Sequence, residues 1–293
     1  MRNFSAEFAH FQDHGYVIAR NVLPPATLQP LVAEFSAWVD QQARDLHADG
    51  KITDLYEELD FDHRVVALYR QNQAILAGMD LMHMRGEACF SFLHDSCLLD
   101  LVQTFLGPEI SCNPIQHLRA KMPSAVDAKS GFMQVPWHQD VGVTAEDSDD
   151  SNIITFWLPL SVATRESGCM EILPDCVAGG CLPHVSGSYG TEIPDDVLPQ
   201  RQAITAASEP GDVVVMSKYT PHRGLENVAD YARWSVDLRF HPTGQPSGRD
   251  WQPSFPVRSA DHPDSVSAFT HAHWSDAWKT ALADRTRHKA HRV

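Results

Sequence analysis

The first residues of the chain carry hydrophobic side chains at helical spacing. Phe4, Phe8 and Phe11 recur at intervals of four and three residues, which places them on one face of a helix. Gly15 interrupts this pattern, and the aromatic and β-branched run at 16–18 favours an extended segment. The pattern therefore predicts a helix followed by a short strand.

Three further stretches before residue 110 have a single apolar face. Pro24 and Pro25 open a strongly amphipathic helix, because proline is tolerated in the first helical turn. Its apolar stripe consists of Leu28, Leu31, Val32, Phe35, Trp38 and Val39. A weaker periodic stretch occupies 65–79, and another helix is expected from a Ser96 cap to Gly107. Helices of this kind need a flat surface to pack on, so the rest of the chain should supply a sheet.

From about residue 110 the pattern changes to short β-rich runs separated by Gly, Pro, Asp and Ser. The expected strands are Ile115–Met122, Gln134–Asp140, Ile153–Leu160, Met170–Leu173, Gln202–Ala206, Val213–Met216 and Arg233–Phe240. Seven short strands without alternating helices predict a mainly β jelly roll with flanking helices, not a doubly wound sheet.

We expect a single domain of residues 1–293. Residues 1–110 would form a helical support region, 111–245 the β core, and 246–293 a C-terminal extension with a short helix near 277–282. Two interruptions are typical of loops over the mouth of a site: an acidic run at 146–150 and a Gly/Pro/Ser-rich segment at 178–199. The acidic run is equally consistent with a solvated surface loop.

Composition narrows the class of protein. With 23 Lys and Arg against 38 Asp and Glu, the net charge is −15, which disfavours a nucleic-acid partner. No run approaches the ~20 apolar residues of a spanning helix, and the N-terminus lacks the apolar core of a signal peptide. We therefore expect a cytoplasmic protein without membrane contact, a monomer or homodimer, whose six cysteines are reduced thiols.

The sixteen histidines include three His-x-Asp triplets, and local structure separates them. His47 lies at the end of a helix, where positions i and i+2 point in different directions. His262 lies in a Pro-rich tail without a strand pattern. His138 and Asp140 lie in an extended run, where i and i+2 share one face and both can reach one metal ion. Only this triplet has the geometry of a chelate.

His222 is the candidate third ligand, because it follows a strand that begins near Gly211. Two histidines and one carboxylate form the facial set that leaves open positions on Fe(II) for substrate and O₂. Arg233 comes eleven residues later and opens a strand with two distinct faces. Its polar face is formed by Arg233, Ser235, Asp237 and Arg239, and its apolar face by Trp234, Val236, Leu238 and Phe240. The polar face predicts a lined cavity, and the apolar face a surface for the helices.

This order of motifs resembles the phytanoyl-CoA dioxygenase-like family of Fe(II)/2-oxoglutarate-dependent oxygenases. The opening segment 11–24, the central run 155–160 and the segment 166–174 also look like that family. The resemblance implies a double-stranded β-helix, or cupin-like jelly roll. It also implies that His138, Asp140 and His222 hold the iron and that Arg233 pairs with the distal carboxylate of 2-oxoglutarate.

The resemblance extends to further contacts, with two departures. Gln116 and Lys121 lie where relatives often place cosubstrate contacts. Many relatives carry Ser two residues after the distal histidine, where this chain has Gly224, so that hydroxyl contact is absent or supplied elsewhere. The usual Pro-Gly-Ser-His after the central strand is replaced by Pro-Asp-Cys at 174–176.

The expected reaction is hydroxylation of an unactivated C–H bond of a small-molecule metabolite, with O₂ and 2-oxoglutarate converted to succinate and CO₂. Desaturation, epoxidation or cyclisation would use the same cofactors, and a non-catalytic, cupin-like metal-binding protein is the alternative from another class. Arg239 could pair with a substrate anion or neutralise Asp237, and His184 could lie over the site within its long loop.

Overall fold

Antiparallel strands dominate the middle of the chain in the computed structural model, which describes residues 2–127, 135–187, 190–286, 288 and 291–293. The strands are β1 Tyr16–Ala19, β2 Ile110–Cys112, β3 His117–Lys121, β4 Val135–His138, β5 Ile154–Pro159, β6 Met170–Ile172, β7 Val185–Gly187, β8 Gly190–Glu192, β9 Ile204–Ala206, β10 Val213–Ser217, β11 His222–Gly224, β12 Arg233–Pro242 and β13 Phe255–Arg258. Each of the seven strands predicted from the sequence overlaps one of these strands, although β10 and β12 extend beyond their predicted ends at Met216 and Phe240; Gln134 lies outside the described residues.

The strands form two main sheets and a small hairpin. The larger sheet runs β1-β10-β5-β12-β2-β13, with β3 also paired to β12, and the smaller runs β4-β11-β6-β9. β7 and β8 pair separately within the long segment at 178–199. Every pairing between these strands is antiparallel. The predicted jelly roll with flanking helices is confirmed.

Most of the helices precede β2 in the chain, and the last two follow β13. They are α1 Ser5–His14, α2 Pro25–Ala48, α3 Phe61–Gln71, α4 Leu81–Met84, α5 Glu87–Phe92, α6 Ser96–Leu106, α7 Ser124–Asp127, α8 Pro263–Ala268 and α9 His271–Ala283. Within the described parts of the chain, none of them is both long and apolar enough to cross a membrane. The helix expected near 277–282 is longer than predicted, because Trp274 and Trp278 both enter the core.

The helix ends follow the local sequence. Gly15 ends α1 in the left-handed conformation, with φ 78°, and a Cβ there would approach Val177 Cγ2 to 2.4 Å. The predicted Ser96 cap of α6 is wrong by one position: the side chain of Asp95 accepts the hydrogen bond from the Leu98 N–H at 3.0 Å. An acidic side chain one residue earlier serves the same free N–H groups.

The core lies between the helices and the outer face of the larger sheet. Trp234, Leu238 and Phe240 on β12 are completely buried, and Phe61 of α3 stacks on Trp234 with ring centroids 4.3 Å apart. Burying each such side chain contributes roughly 1.5–3 kcal/mol. The apolar face predicted for this strand is therefore confirmed, and its polar face is directed to the opposite side.

The two predicted loops are fixed to neighbouring elements. Lys218 Nζ donates to the carbonyl oxygens of Ser148, Asp149 and Ser151 at 2.6–2.8 Å, which anchors the acidic run. The backbone N–H of Ile193, directly after β8, donates to Trp137 O at 2.7 Å and joins the long segment to β4. All six cysteines are free thiols, as predicted.

Candidate metal and cosubstrate site

The two histidines of the candidate site are placed by a single strand pairing. His138 ends β4 and His222 begins β11, and the two residues lie directly opposite each other in the smaller sheet. Their ring centroids are 4.2 Å apart. Asp140 begins a turn of 3₁₀ helix two residues after His138, so its carboxylate comes back toward both rings.

The three side chains have the geometry of a metal site. Oδ1 of Asp140 lies 3.8 Å from His138 Nε2 and 4.0 Å from His222 Nε2, and one ligand atom from each residue lies within 4.8 Å of the others. Nδ1 of each imidazole faces a backbone carbonyl, of Pro136 at 2.9 Å and of Thr220 at 3.0 Å. A carbonyl only accepts, so Nδ1 carries the proton and Nε2 presents its lone pair to the shared point. The residues fit a divalent metal ion.

Local electrostatics set the protonation of this group. Burial, together with the neighbouring His222, lowers the pKa of His138 to about 4. Burial alone would raise the pKa of Asp140, but the Arg239 guanidinium and the two imidazoles hold it well below its usual range. At neutral pH His138 is therefore neutral and Asp140 is ionised, which are the forms that bind a metal ion.

Two residues outside the ligand set hold the carboxylate of Asp140. Arg239 Nη2 donates to Oδ1 and Thr155 Oγ1 donates to Oδ2. The same guanidinium donates to Ile115 O at 3.2 Å and lies 3.6 Å from Asp237 Oδ1. Arg239 thus reaches Asp237, one of the two partners considered from the sequence, but it also pairs with a candidate metal ligand, which the sequence did not indicate.

A cavity opens beside the three ligands, between the inner faces of the two main sheets. Its volume is about 680 Å³, including solvent at its mouth. The larger sheet contributes the polar face of β12 and parts of β3 and β5, and the smaller sheet contributes Val135, Met170 and Gly224. The lined cavity predicted from the alternation in β12 is present.

Arg233 lines this cavity and forms a buried pair of cations with Lys121, which lies beside it but is not among the lining residues. They lie directly opposite each other on β12 and β3, and both are at most 5% exposed. Arg233 Nη1 donates to Ser235 Oγ at 2.5 Å, and its guanidinium lies 5.1 Å from the centre of the Trp157 ring. Arg233 Nε and Lys121 Nζ are buried without a hydrogen-bond partner among the described residues. Two such groups fit one carboxylate of a dicarboxylate cosubstrate.

Burial shifts both cations toward their neutral forms. It lowers the pKa of Arg233 to about 10 and, together with Arg233, the pKa of Lys121 to about 7. Gly224 leaves the room for Lys121, because a Cβ at position 224 would lie 3.1 Å from Lys121 Nζ. The ammonium therefore occupies the neighbourhood where a serine at 224 would place its side chain.

Besides Lys121, two expected site residues do not line the cavity. Gln116 Nε2 donates to Asn113 O at 2.9 Å, and its side chain remains on the other side of β3. His184 Nε2 accepts from the Gln139 N–H at 3.1 Å, and its Nδ1 donates to Leu182 O at 2.7 Å. His184 therefore supports the turn between His138 and Asp140 from outside the cavity. The long loop does bring it next to the site, but its side chain does not face the cavity.

The polar residues at the site that were not singled out from the sequence include Thr155, His117 and Arg119. Strand alternation could have identified them. Arg233 lines the cavity and lies opposite Lys121, so positions 119 and 117 on the same face of β3 as Lys121 are on the cavity side, whereas 116 is not. Likewise Thr155 lies directly opposite Arg239 in the pairing of β5 with β12.

Two antiparallel sheets that enclose a His-Asp-His set define a metal-dependent enzyme of the double-stranded β-helix class. The sequence model described as phytanoyl-CoA dioxygenase (PhyH) matches residues 11–235, and the chain belongs to this family. The predicted enzyme class, the Fe(II)/2-oxoglutarate-dependent oxygenases, is thereby confirmed.

Individual relatives are more distant. The chain is 27% identical over 150 residues to 1-deoxypentalenic acid 11-beta-hydroxylase from Streptomyces arenae; the match covers 47% of this chain and about half, 52%, of that enzyme. The apo structure of the non-heme monooxygenase ThoJ is 20% identical, with a TM-score of 0.64 and 94% of each chain covered. The epimerase SnoN, in complex with Fe³⁺, alpha ketoglutarate and nogalamycin RO, is 17% identical with a TM-score of 0.54, over 84% of this chain and 87% of SnoN. The structural matches support the fold.

Proposed function

We propose that this oxygenase hydroxylates a C–H bond of a small-molecule metabolite, using iron and 2-oxoglutarate held by its own cavity residues. One observation carries the proposal: His138, Asp140 and His222 converge at one point of a cavity that Arg233 also lines, and Lys121 is buried directly beside Arg233. Arg233 Nε and Lys121 Nζ are both buried without a hydrogen-bond partner among the described residues. A site that only stored a metal ion would not need buried cations beside it. This favours the oxygenase over a cupin-like binding protein.

Each residue has a distinct role in this proposal. His138, Asp140 and His222 hold the iron, which together with 2-oxoglutarate supplies the oxidation of a C–H bond by O₂. Arg233 binds the distal carboxylate of 2-oxoglutarate through its planar guanidinium, and Lys121 adds a second charged donor. Both are preorganised by burial, so they bind the cosubstrate without reorganising water.

Hydroxylation is favoured over other outcomes by the ligand set and by the curated relative. Asp140 retains its carboxylate, whereas family halogenases replace this residue with a small one to admit a halide. The Streptomyces arenae relative is named as a hydroxylase of a carboxylic acid. Because SnoN is named as an epimerase, the product must be identified as well as the turnover.

The test is O₂-dependent conversion of 2-oxoglutarate to succinate by the Fe(II)-loaded protein, with a library of small metabolites and ¹⁸O₂. We expect succinate release with at least one metabolite, together with a product that has gained one labelled oxygen atom. His222→Ala and Asp140→Ala should abolish both. Absence of succinate throughout the library would refute the oxygenase assignment. Succinate together with a product that contains no labelled oxygen would refute only the proposed hydroxylation.

A further inference from the structure

Arg119 is a cation on the cavity wall that neither the metal ligands nor the cosubstrate contacts use. It lies on β3, opposite Ser235 of β12, and lines the cavity. It is two residues from Lys121 on the same face of the strand, about 7 Å away along the chain. Its guanidinium has no hydrogen bond or ion pair among the described residues. Nevertheless it is close enough to lower the pKa of both Lys121 and Arg233, after the larger effect of burial.

The charges around the cavity do not balance without a second anion. Arg239 is matched by Asp140 and Asp237, and Arg223 by Glu171, whose Oε2 accepts from its Nη2 at 2.6 Å. Arg119, Lys121 and Arg233 have no carboxylate partner among the described residues. One carboxylate of 2-oxoglutarate would lie at Arg233 and Lys121, and the other, with Asp140, would offset the charge of the iron. Arg119, which is half-buried, then remains on the cavity wall without an anion and is free to pair with one from another ligand.

The surroundings of Arg119 describe the rest of that ligand. On the side away from Lys121, Asp237 Oδ1 is buried without a hydrogen bond, and His117 donates its Nδ1–H to Asp80 at 2.9 Å, which leaves Nε2 for the cavity. Both atoms can accept from a hydroxyl group. Val135, Val143 and Met170 supply apolar wall toward the metal ligands. A molecule that fits has an apolar skeleton and a charged end.

We propose that Arg119 binds the carboxylate of the substrate and that the enzyme acts on apolar small-molecule carboxylic acids. This inference rests on the proposed function for the identity of the site, but it concerns recognition and is tested without turnover. The charged end would be held at Arg119 on β3, so the apolar skeleton would extend along the wall formed by Val135 and Met170 toward His138, Asp140 and His222. Arg119 would thus determine specificity without taking part in the oxidation.

The experiment uses the full chain loaded with Zn(II) and 2-oxoglutarate, so that no oxidation occurs. Ligand-observed NMR titrations compare adamantane carboxylate and cyclohexane acetate with their primary amides, which keep the skeleton and remove the charge, and with cyclohexylmethyl phosphate. The variants are Arg119→Gln, Arg119→Lys and Arg44→Gln. Arg44 is an exposed arginine of α2, and its replacement matches the change in net charge far from the cavity.

We expect the carboxylates to bind roughly 10- to 100-fold more tightly than the amides, as a charge-assisted pair would give. Arg119→Gln should remove most of this preference, Arg119→Lys should keep part of it, and Arg44→Gln should leave it unchanged. Any of four results would overturn the inference: equal binding of acids and amides, no detectable binding of either acid, tighter binding of the phosphate ester, or an Arg119→Gln variant that loses only 2-oxoglutarate affinity. Preferential binding of acids without succinate formation in air would instead refute only the proposed function.

Discussion

Lys121→Met should make the protein more stable and at the same time weaken its binding of 2-oxoglutarate. Burial lowers the pKa of Lys121 to about 7, which corresponds to a cost on the order of 4 kcal/mol for holding the charged form without a partner. Methionine keeps the apolar stem and removes the ammonium. Allowing for relaxation of the site, we expect a gain of roughly 1–3 kcal/mol in the free energy of unfolding at pH 7.

The stabilisation expected from Lys121→Met should depend on pH. The folded pKa of Lys121 lies below its value in the unfolded chain, so the penalty is fully present below about pH 7 and disappears as the pH approaches the unfolded value. Wild-type stability should therefore rise through this interval by an increment that Lys121→Met lacks. Urea unfolding at pH 6.5, 8 and 9 measures it. Lys279→Met, at an exposed lysine of α9, is the matched control and should follow the wild type.

Cosubstrate binding should change in the opposite direction. Loss of one charge-assisted hydrogen bond weakens 2-oxoglutarate binding roughly 10- to 100-fold, with Arg233 still present, and calorimetry on the Zn(II)-loaded protein measures this. Because a carboxylate favours the charged lysine, wild-type affinity should fall as the pH rises above about 7, and the variant should lose that fall. Adding Gly224→Ser to Lys121→Met should restore part of the affinity, since the space 3.1 Å from position 224 is then free. A destabilised Lys121→Met protein with unchanged 2-oxoglutarate affinity would refute the reasoning.

Three further predictions concern groups around the site and the core. Arg239→Met should lower Zn(II) affinity about 10- to 100-fold in competition with a chelator, because Asp140 loses the guanidinium that holds it; unchanged affinity would contradict this role. Lys218→Met leaves three carbonyl groups without their donor and should lower the free energy of unfolding by about 2–4 kcal/mol in urea titrations, whereas a loss below 1 kcal/mol would show that water replaces the ammonium. Burial raises the pKa of Asp62 to about 6, so the free energy of unfolding should fall as the pH is raised from about 4 to 6. Asp62→Asn should remove this fall, and a variant with the same pH profile as the wild type would contradict the prediction.

The parts of the fold that follow from local periodicity could be predicted from the sequence. The alternation along β12 separated a buried face around Trp234 from a polar face around Arg233, and the structure has both. The extended run at His138 correctly indicated which His-x-Asp triplet could chelate, since His47 lies within α2 and His262 directly precedes α8. These features depend on side-chain direction within one element, which the residue period determines.

The features that were missed depend on residues far apart in the chain. Arg239 and Asp140 are 99 residues apart; Arg239 is on β12 of the larger sheet and Asp140 follows β4 of the smaller one, so only the packing of the two sheets brings them together. Gln116 was expected at the cosubstrate, but β3 begins one residue later. Positions 116 and 121 are an odd number of residues apart, so their side chains point to opposite faces of the strand. His184 lies in a loop, where no period fixes direction, and its partner proved to be the backbone of Gln139.

The central claim is that this cavity binds iron and 2-oxoglutarate together through the assigned residues. Anaerobic titration of the Fe(II)-loaded protein with 2-oxoglutarate, followed by visible absorption, tests it directly through the charge-transfer band of the chelate. The wild type should develop the band, His222→Ala should not, and Arg233→Ala should need a much higher 2-oxoglutarate concentration. A wild-type protein without the band, or a band that persists unchanged in His222→Ala, would contradict the assignment.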